Sequence, residues 1–173
     1  MQTGYTISPI GPEHNAALAV IIRSALMEFD AAKPGTVYYD TTTDDLAALF
    51  SRKGSEYFVL MNNGEVCGGA GYFPTEELPA NTCELVKLYL SPKSRGKGLG
   101  KMLMQHCEKA AYAAGYRHVY LETMQELTIA VPLYEKLGYR YLQSPLGRSG
   151  HCGCEIWMLK DLDAIKDGYN LML

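Results

Sequence analysis

Residues 88–101 read LYLSPKSRGKGLGK, which is the pattern of a strand, a glycine-rich basic turn and the start of a helix. Backbone N–H groups at a helix start have no partner within the helix, and the helix dipole favours negative charge there. Glycines allow a ligand to approach the backbone closely. Positive charge is added by Lys93, Arg95, Lys97 and Lys101. The stretch therefore predicts a pocket for a phosphate or pyrophosphate group.

Two common phosphate-binding loops do not fit these residues. A Walker A loop needs a glycine where this chain has Arg95, and a serine or threonine where it has Met102. A dinucleotide-binding fingerprint needs a further glycine at Lys101 or at Leu103, depending on the register. The turn is therefore an anion site of another kind.

The rest of the chain alternates between helical and extended patterns. Apolar residues recur at three- and four-residue steps over residues 12–29, and Asn62-Asn63-Gly64-Glu65 indicates a hairpin turn. We predict helices over 12–29, 44–50 (capped by Thr42 or Thr43), 99–114 and 129–137, and strands over 57–61, 66–73, 82–90, 118–122, 139–142 and 155–159. This order predicts an α/β (α+β) protein with a mixed, mainly antiparallel sheet flanked by helices.

Length and composition are those of one globular domain. The chain has 173 residues, 47% of them apolar, and a net charge of -3. We expect a single domain over 1–173, with a core from about 5 to 160 and a tail from 161 to 173. An acidic chain with short apolar runs predicts no nucleic-acid partner and no membrane span. Five cysteines without paired spacing indicate a reducing compartment, the cytoplasm.

Two motifs resemble those of a known superfamily. Residues 95–100, RGKGLG, fit R/Q-x-x-G-x-G/A, and residues 130–139, AVPLYEKLGY, fit A-x-x-L-Y-x-x-x-G-F/Y. In this order and at this spacing they resemble the Gcn5-related N-acetyltransferase (GNAT) superfamily, and the resemblance extends from about Tyr5 to Lys160. The chain looks like a branch of small acetyltransferases with undefined acceptors. The resemblance implies the acyl-CoA N-acyltransferase fold, in which two central parallel strands splay apart.

The resemblance also implies acetyl-coenzyme A as co-substrate. Its pantetheine arm would lie between the splayed strands and bind the backbone of Leu88 and Leu90. Its pyrophosphate would bind the turn that follows, at Arg95, Gly96, Lys97, Gly98, Leu99, Gly100 and Lys101. An amine would attack the thioester directly, without an acyl-enzyme.

Two residues are candidates for proton transfer. Glu84 stands eleven residues before the first motif, which is the position of the general base in several members of the superfamily. On a regular strand its face is shared by Val86, Leu88 and Leu90, and apolar neighbours would raise its pKa. The alternative is an edge glutamate paired with a surface lysine. Tyr134 matches the tyrosine near the cofactor sulfur, where a phenol suits a proton donor; the alternative is a packing tyrosine.

The second motif departs from the family pattern upstream of its alanine. The superfamily often has asparagine where this chain has Leu127. The polar contact of that asparagine to the cofactor is therefore either missing or supplied by Glu122, Thr123 or Gln125.

Three residues are predicted to bind the acceptor: Tyr38, Glu122 and His151. Tyr38 lies in a loop over 31–40 that would cover the acceptor, with surface packing as the alternative. His151 precedes the last strand, and either lines the acceptor pocket or lies on the surface. The stretch His151-Cys152-Gly153-Cys154 has no partner cluster, so we expect no metal.

The sequence thus predicts an acetyl-CoA-dependent N-acetyltransferase that acts on an amine of a small molecule or peptide, as a monomer or homodimer. The alternative is a non-catalytic acyl-CoA-binding sensor or scaffold module. Such a module would keep the turn at 95–100 but would not need Glu84 or Tyr134.

Overall fold

The protein is built on a seven-stranded sheet. The computed structural model describes residues 4–163, so most of the tail predicted over 161–173 lies outside the described residues. The strands are β1 (Tyr5–Pro9), β2 (Glu56–Asn62), β3 (Glu65–Phe73), β4 (Thr82–Leu90), β5 (His118–Thr123), β6 (Arg140–Tyr141) and β7 (Ile156–Asp161). The α-helices are α1 (Asn15–Glu28), α2 (Leu46–Leu49), α3 (Leu99–Ala113) and α4 (Ala130–Lys136).

The strand order is β1-β2-β3-β4-β5-β7-β6. Neighbouring strands are antiparallel except β4 and β5, which are parallel. Helices cover both faces of the sheet, which confirms the predicted mixed, mainly antiparallel sheet flanked by helices. No helix within residues 4–163 is long and apolar enough to cross a bilayer.

Two apolar clusters hold the helices on the sheet. The α1-side cluster is centred on Leu18, Ile22 and Leu26 of α1, with Leu46 of α2 packed beside them. The α3-side cluster contains Leu103, Met104, Cys107 and Ala111 of α3, with Tyr134 of α4. Each helix buries the stripe that its periodicity predicts, so burial of these stripes fixes both layers.

Two local predictions are wrong. The strand β1 was not predicted, because residues 5–9 form a strand only through antiparallel pairing with β2. The second helix is shorter than the predicted 44–50, and its N-cap is Asp45, not Thr42 or Thr43. Those two threonines lie in a preceding 3-10 turn that Asp40 caps, and this turn delays the start of α2.

A β-bulge interrupts β4 in the middle of the sheet. Lys87 and Leu88 lie opposite a single residue of β3, Ala70. Lys87 takes a φ of 52°, and the hydroxyl of Tyr57 donates to the Lys87 carbonyl at 2.9 Å. An extra residue in a strand moves every later side chain to the other face of the sheet.

The bulge overturns one prediction about Glu84. Val86 packs against the α1-side cluster, whereas Leu88 and Leu90 pack against the α3-side cluster. Glu84 therefore does not share a face with Leu88 and Leu90. A shared face is expected only when the side chains of a strand alternate regularly. The spacing of apolar residues in the sequence does not reveal a bulge.

The two parallel strands separate soon after they meet. Their ladder covers only Thr82–Glu84 of β4 and His118–Tyr120 of β5. Both strands continue, to Leu90 and Thr123, without pairing with each other. This confirms the predicted splay, and it leaves backbone hydrogen-bonding groups of β4 open to a ligand.

Tyr57→Phe tests the bond that holds the bulge. Tyr57 is buried, so removing its hydroxyl leaves the Lys87 carbonyl without a hydrogen-bond donor. We expect the free energy of unfolding to fall by about 1–2 kcal/mol. Urea denaturation followed by Trp157 fluorescence measures the loss. Tyr141→Phe is the matched control, because its hydroxyl bonds Glu135 at the surface, and it should lose less than about 0.5 kcal/mol. Equal losses in both variants would contradict the role of Tyr57.

Candidate active site

Two cavities meet at β4. The first, of about 320 Å³, lies in the splay between β4 and β5 and reaches the start of α3. The second, of about 510 Å³, lies beneath the loops around residues 35–42 and 148–151. Both are lined by the same five residues, which form their common wall: Thr36, Glu84, Val86, Lys87 and His151. Molecules entering from the two sides would therefore meet at this wall.

The glycine-rich turn forms one end of the first cavity. Gly98 is the N-cap of α3 with a φ of 75°, and Gly96 has a φ of 72°, a left-handed conformation that favours glycine. No side chain among residues 4–163 caps the helix, so its first N–H groups, at the edge of the cavity, are left to bind a ligand. The lining contains all the residues predicted to bind the cofactor except Lys97: Leu88, Leu90, Arg95, Gly96, Gly98, Leu99, Gly100 and Lys101.

The basic side chains of the turn do not converge on the cavity. Arg95 donates to both carboxylate oxygens of Glu28 at 2.8 Å and to the Leu90 carbonyl at 3.0 Å. Lys97 reaches the hydroxyl of Tyr5 at 3.3 Å, outside the cavity lining. Lys101 lines the cavity and is exposed. Attraction for an anion therefore comes mainly from backbone N–H groups, the helix dipole and Lys101.

Glu84 lies at the end of the short parallel ladder and is buried, with 3% of its surface exposed. Its carboxylate accepts a hydrogen bond from the Thr75 hydroxyl. Burial raises the pKa of Glu84 to about 7; the Thr75 bond opposes this increase, and the carboxylate of Glu122 adds to it. At neutral pH the group is therefore poised between its two protonation states.

Glu122 and His151 lie beside Glu84. One ligand atom of each of these three side chains lies within 4.8 Å of the other two. Three such groups suit a bound cation, either a metal ion or an ammonium group. The sequence predicted Glu122 and His151 as separate acceptor-site residues, and the fold brings them to one point. The sequence did not predict that Glu84, Glu122 and His151 would together form a possible set of metal ligands.

Hydrogen bonds fix Glu122 and the loop opposite it. The hydroxyls of Tyr120 and Ser149 donate to Glu122 at 2.8 and 2.7 Å. The N–H of Leu146 in turn donates to the Tyr120 hydroxyl at 3.2 Å. These bonds attach the segment before β7 to β5, and this attachment places His151 over the site.

Asp40 links the other covering loop to the same wall. Its carboxylate accepts from Lys87 Nζ at 2.8 Å and lies 3.7 Å from His151 Nε2. Burial alone would raise the pKa of Asp40, but the nearby His151 ring and hydrogen bonds from Lys87 and Thr42 hold it well below its usual range. Burial lowers the pKa of Lys87, and Asp40 opposes that change. Lys87 was not among the predicted site residues. A lysine between Val86 and Leu88 in an apolar strand could have indicated a buried charge with a partner.

Tyr38 does not reach either cavity. Its hydroxyl lies 3.6 Å from the sulfur of Met27, and its ring packs edge-on against Tyr39. Tyr39 and Asp40 line the second cavity instead. Neither cavity therefore supports the predicted contact of Tyr38 with an acceptor, which stays a prediction; Tyr38 lies in the 3-10 turn Val37–Tyr39, beside α1.

Tyr134 lies in the wall of the first cavity and is 6% exposed. Burial raises the pKa of its phenol, which therefore stays protonated at neutral pH. Nearby in the lining, Thr123 Oγ1 is buried and has no hydrogen-bond partner among the described residues. Leu127, at the position of the family asparagine, also lines this cavity. Of the replacements predicted for that asparagine, Glu122 and Thr123 line this cavity and Gln125 does not.

A splayed mixed sheet with an anion-binding turn at the splay defines the acyl-CoA N-acyltransferase fold. Residues 23–139 match the family model described as Acetyltransferase (GNAT) family. The chain belongs to this family, and it is an acyltransferase.

Named relatives and solved structures agree with this assignment. The uncharacterized N-acetyltransferase YjgM of Escherichia coli (strain K12) is 38% identical over 87% of this chain and 90% of that protein. A GNAT-family acetyltransferase from Staphylococcus aureus Mu50 has a TM-score of 0.81 at 17% identity, covering 91% of this chain and 99% of that one. The structure of yncA from Salmonella typhimurium with its cofactor acetyl-CoA has a TM-score of 0.72 at 21% identity, covering 92% of this chain and 95% of that one.

Glu84 should make the stability of the protein depend on pH. Its folded pKa of about 7 lies above the ordinary value of 4.5, so the folded state binds the proton more tightly than the unfolded chain. The resulting stabilisation is complete below the ordinary pKa and is lost as the pH rises through about 7. Glu84→Gln stays neutral, so we expect it to gain up to about 3 kcal/mol relative to wild type between about pH 5 and about pH 8.

Urea denaturation of both proteins at the two pH values measures this gain. Glu65→Gln is the control, because Glu65 is exposed at the start of β3 and is solvated in both states. A difference between Glu84→Gln and wild type that does not change with pH would contradict the elevated pKa.

Proposed function

We propose that the chain is an acetyl-coenzyme A-dependent N-acetyltransferase whose acceptor is an amine of a small molecule or peptide. The observation that carries this proposal is the position of Glu84 in the wall common to both cavities. A thioester delivered through the first cavity and an amine delivered through the second would meet beside this carboxylate. The acetyl-CoA bound by the Salmonella relative supports the choice of co-substrate.

Coenzyme A suits the first cavity in both polarity and shape. Its pantetheine arm would bind the unpaired backbone of β4 at Leu88 and Leu90, between the splayed strands. Its pyrophosphate would bind the N–H groups at the start of α3, with Lys101 beside them. Arg95 has another role in this proposal: its bonds to Glu28 and to the Leu90 carbonyl hold the turn against α1.

The amine would be activated at Glu84. A carboxylate with a pKa of about 7 is ionised in part at neutral pH and is basic enough to take a proton from an ammonium group. Glu122 and Asp40 add negative charge around the same point, which favours a cationic acceptor. The peptide N–H groups of β4 would polarise the thioester carbonyl as the amine attacks.

Tyr134 would stabilise the leaving group. A phenol whose pKa is raised by burial stays protonated and can donate a hydrogen bond to the thiolate that forms as coenzyme A departs. Its position in the wall of the first cavity supports this role.

Release of free thiol from acetyl-CoA across a panel of amino acids, polyamines, aminoglycosides and peptides tests the proposed reaction. We expect turnover with at least one class of amine, and a fall of at least about 100-fold in Glu84→Gln, because general bases contribute this much. Calorimetry should show that coenzyme A binds the variant with wild-type affinity, and Glu65→Gln should retain full turnover. Unchanged turnover in Glu84→Gln would contradict its role as base. Binding without thiol release for any amine would favour the sensor or scaffold module.

Tyr134→Phe removes the phenolic proton and keeps the ring. We expect kcat to fall about 10- to 100-fold, with the affinity for coenzyme A unchanged, because only the departing thiolate loses a bond. Steady-state thiol release over a range of pH measures the effect. Tyr141→Phe, with its hydroxyl at the surface, should turn over as wild type does. A wild-type rate for Tyr134→Phe at every pH would contradict the assignment.

A further inference from the structure

The proposed reaction leaves one proton to be removed from a buried site in every turnover. An ammonium acceptor loses two protons as it becomes an amide. One proton ends on the thiol of coenzyme A, and the other must reach the solvent. Glu84 would take a proton first, but it is 3% exposed, and bulk water has little access to its carboxylate once acetyl-CoA and the amine occupy the two cavities that it lines. A group between Glu84 and the solvent is therefore needed to carry the proton away.

His151 occupies that place. One of its ring nitrogens lies within 4.8 Å of a carboxylate oxygen of Glu84, a separation that one water molecule can bridge. His151 lines both cavities, and 22% of its side chain is exposed. An imidazole can both accept and release a proton near neutral pH.

The Asp40 carboxylate holds the ring of His151. It lies 3.7 Å from His151 Nε2, and it is itself held by Lys87 Nζ at 2.8 Å and by the backbone and hydroxyl of Thr42 at 2.9 and 2.7 Å. The backbone N–H of His151 donates to Ser149 Oγ at 3.1 Å, which fixes the other side of the residue. The ring is therefore restrained from both covering loops.

Charged groups face His151 from several elements of the fold. The carboxylates of Asp40, Glu84 and Glu122 lie beside the ring, and Asp40 is paired with the ammonium of Lys87. Arg148, paired with Glu77 at 2.8 Å, lines the second cavity together with Arg52 and Glu76. Carboxylates that can accept a proton therefore lie on the Glu84 side of the ring and on its loop side.

We propose that His151 carries the proton from Glu84 to the solvent, and that Asp40 is the residue that positions its ring. The inference rests on the proposed function, because it needs Glu84 as the base. The ammonium proton passes to the Glu84 carboxylate, then to a ring nitrogen of His151, and from the imidazolium to water or a buffer base in the second cavity. Glu84 returns to its carboxylate form, and no group changes its oxidation state.

His151→Gln removes the proton carrier and keeps a polar side chain. In dilute buffer we expect kcat to fall at least about 10-fold while the KM for acetyl-CoA changes less than about 2-fold. Added imidazole should restore kcat in proportion to its concentration, because it can enter the second cavity and carry the proton. Thiol release at several imidazole concentrations measures this. His118→Gln is the matched control: it lies at the start of β5 outside both cavities, so it should keep the wild-type rate and show no response to imidazole.

A paired substitution tests the positioning role of Asp40. Asp40→Asn is combined with Lys87→Met, so that no buried charge is left without its partner. Without the Asp40 carboxylate the ring is no longer held beside Glu84, so kcat should fall about 10-fold and added imidazole should restore it, as in His151→Gln. A purely structural defect would lower kcat without a response to imidazole.

The outcomes separate this inference from the proposed function. A wild type that turns over while His151→Gln keeps its kcat overturns the proton carrier and leaves the acetyltransferase in place. A loss of activity that imidazole does not restore, in His151→Gln or in the paired variant, also overturns it. A wild type that transfers acetyl to no amine overturns the proposed function, and this inference with it.

Discussion

The buried ion pair between Lys87 and Asp40 joins the sheet to the loop that covers the second cavity. The side chain of Lys87 is 3% exposed, so its charge needs a partner within the protein. The bulge in β4 presents this lysine to the loop, and Asp40 meets it with the same carboxylate that faces His151. Removing one partner of such a pair leaves an uncompensated charge, at a cost of about 3–5 kcal/mol. The shape of the second cavity depends on this contact.

The splay of the sheet creates the first cavity without a separate domain or a long binding loop. Glu84 is the last residue of β4 that pairs with β5, and the strands separate immediately beyond it. The carboxylate is therefore held by a ladder on one side and lies at the opening on the other. The bulge at Lys87, held by the hydroxyl of Tyr57, reverses the faces of the strand just beyond this point. Residues of β4 therefore line both cavities.

The two ends of the site carry opposite electrostatic character. The start of α3 presents unpaired N–H groups and Lys101 to the first cavity, which suits the anionic end of a coenzyme. The wall common to both cavities carries the carboxylate of Glu84, with Glu122 beside it in the first cavity and Asp40 in the second. In the proposed reaction, an anionic donor and a cationic acceptor would therefore bind at different ends of the site.

Much of the fold and part of the site could be predicted because they depend on neighbours in the chain. The helix over 99–114, the turn at Gly96 and Gly98, and the strand that carries Glu84 follow from periodicity and turn residues. These features need only hydrogen bonds and burial within a few residues. The side chains of Arg95 and Lys97 bond Glu28 and Tyr5, and these partners could not be predicted because they are remote in sequence.

The sequence by itself determined the order of the helices and strands after β1, the glycine-rich turn and the identity of Glu84 and Tyr134 as candidates. The tertiary structure alone decided that Lys87 pairs with Asp40, 47 residues away, and that His151 joins Glu84 and Glu122. It also placed the bulge and β1, which exist only through pairing between strands. Local patterns record the conformation of a segment, whereas contacts between distant segments depend on how all the segments pack together.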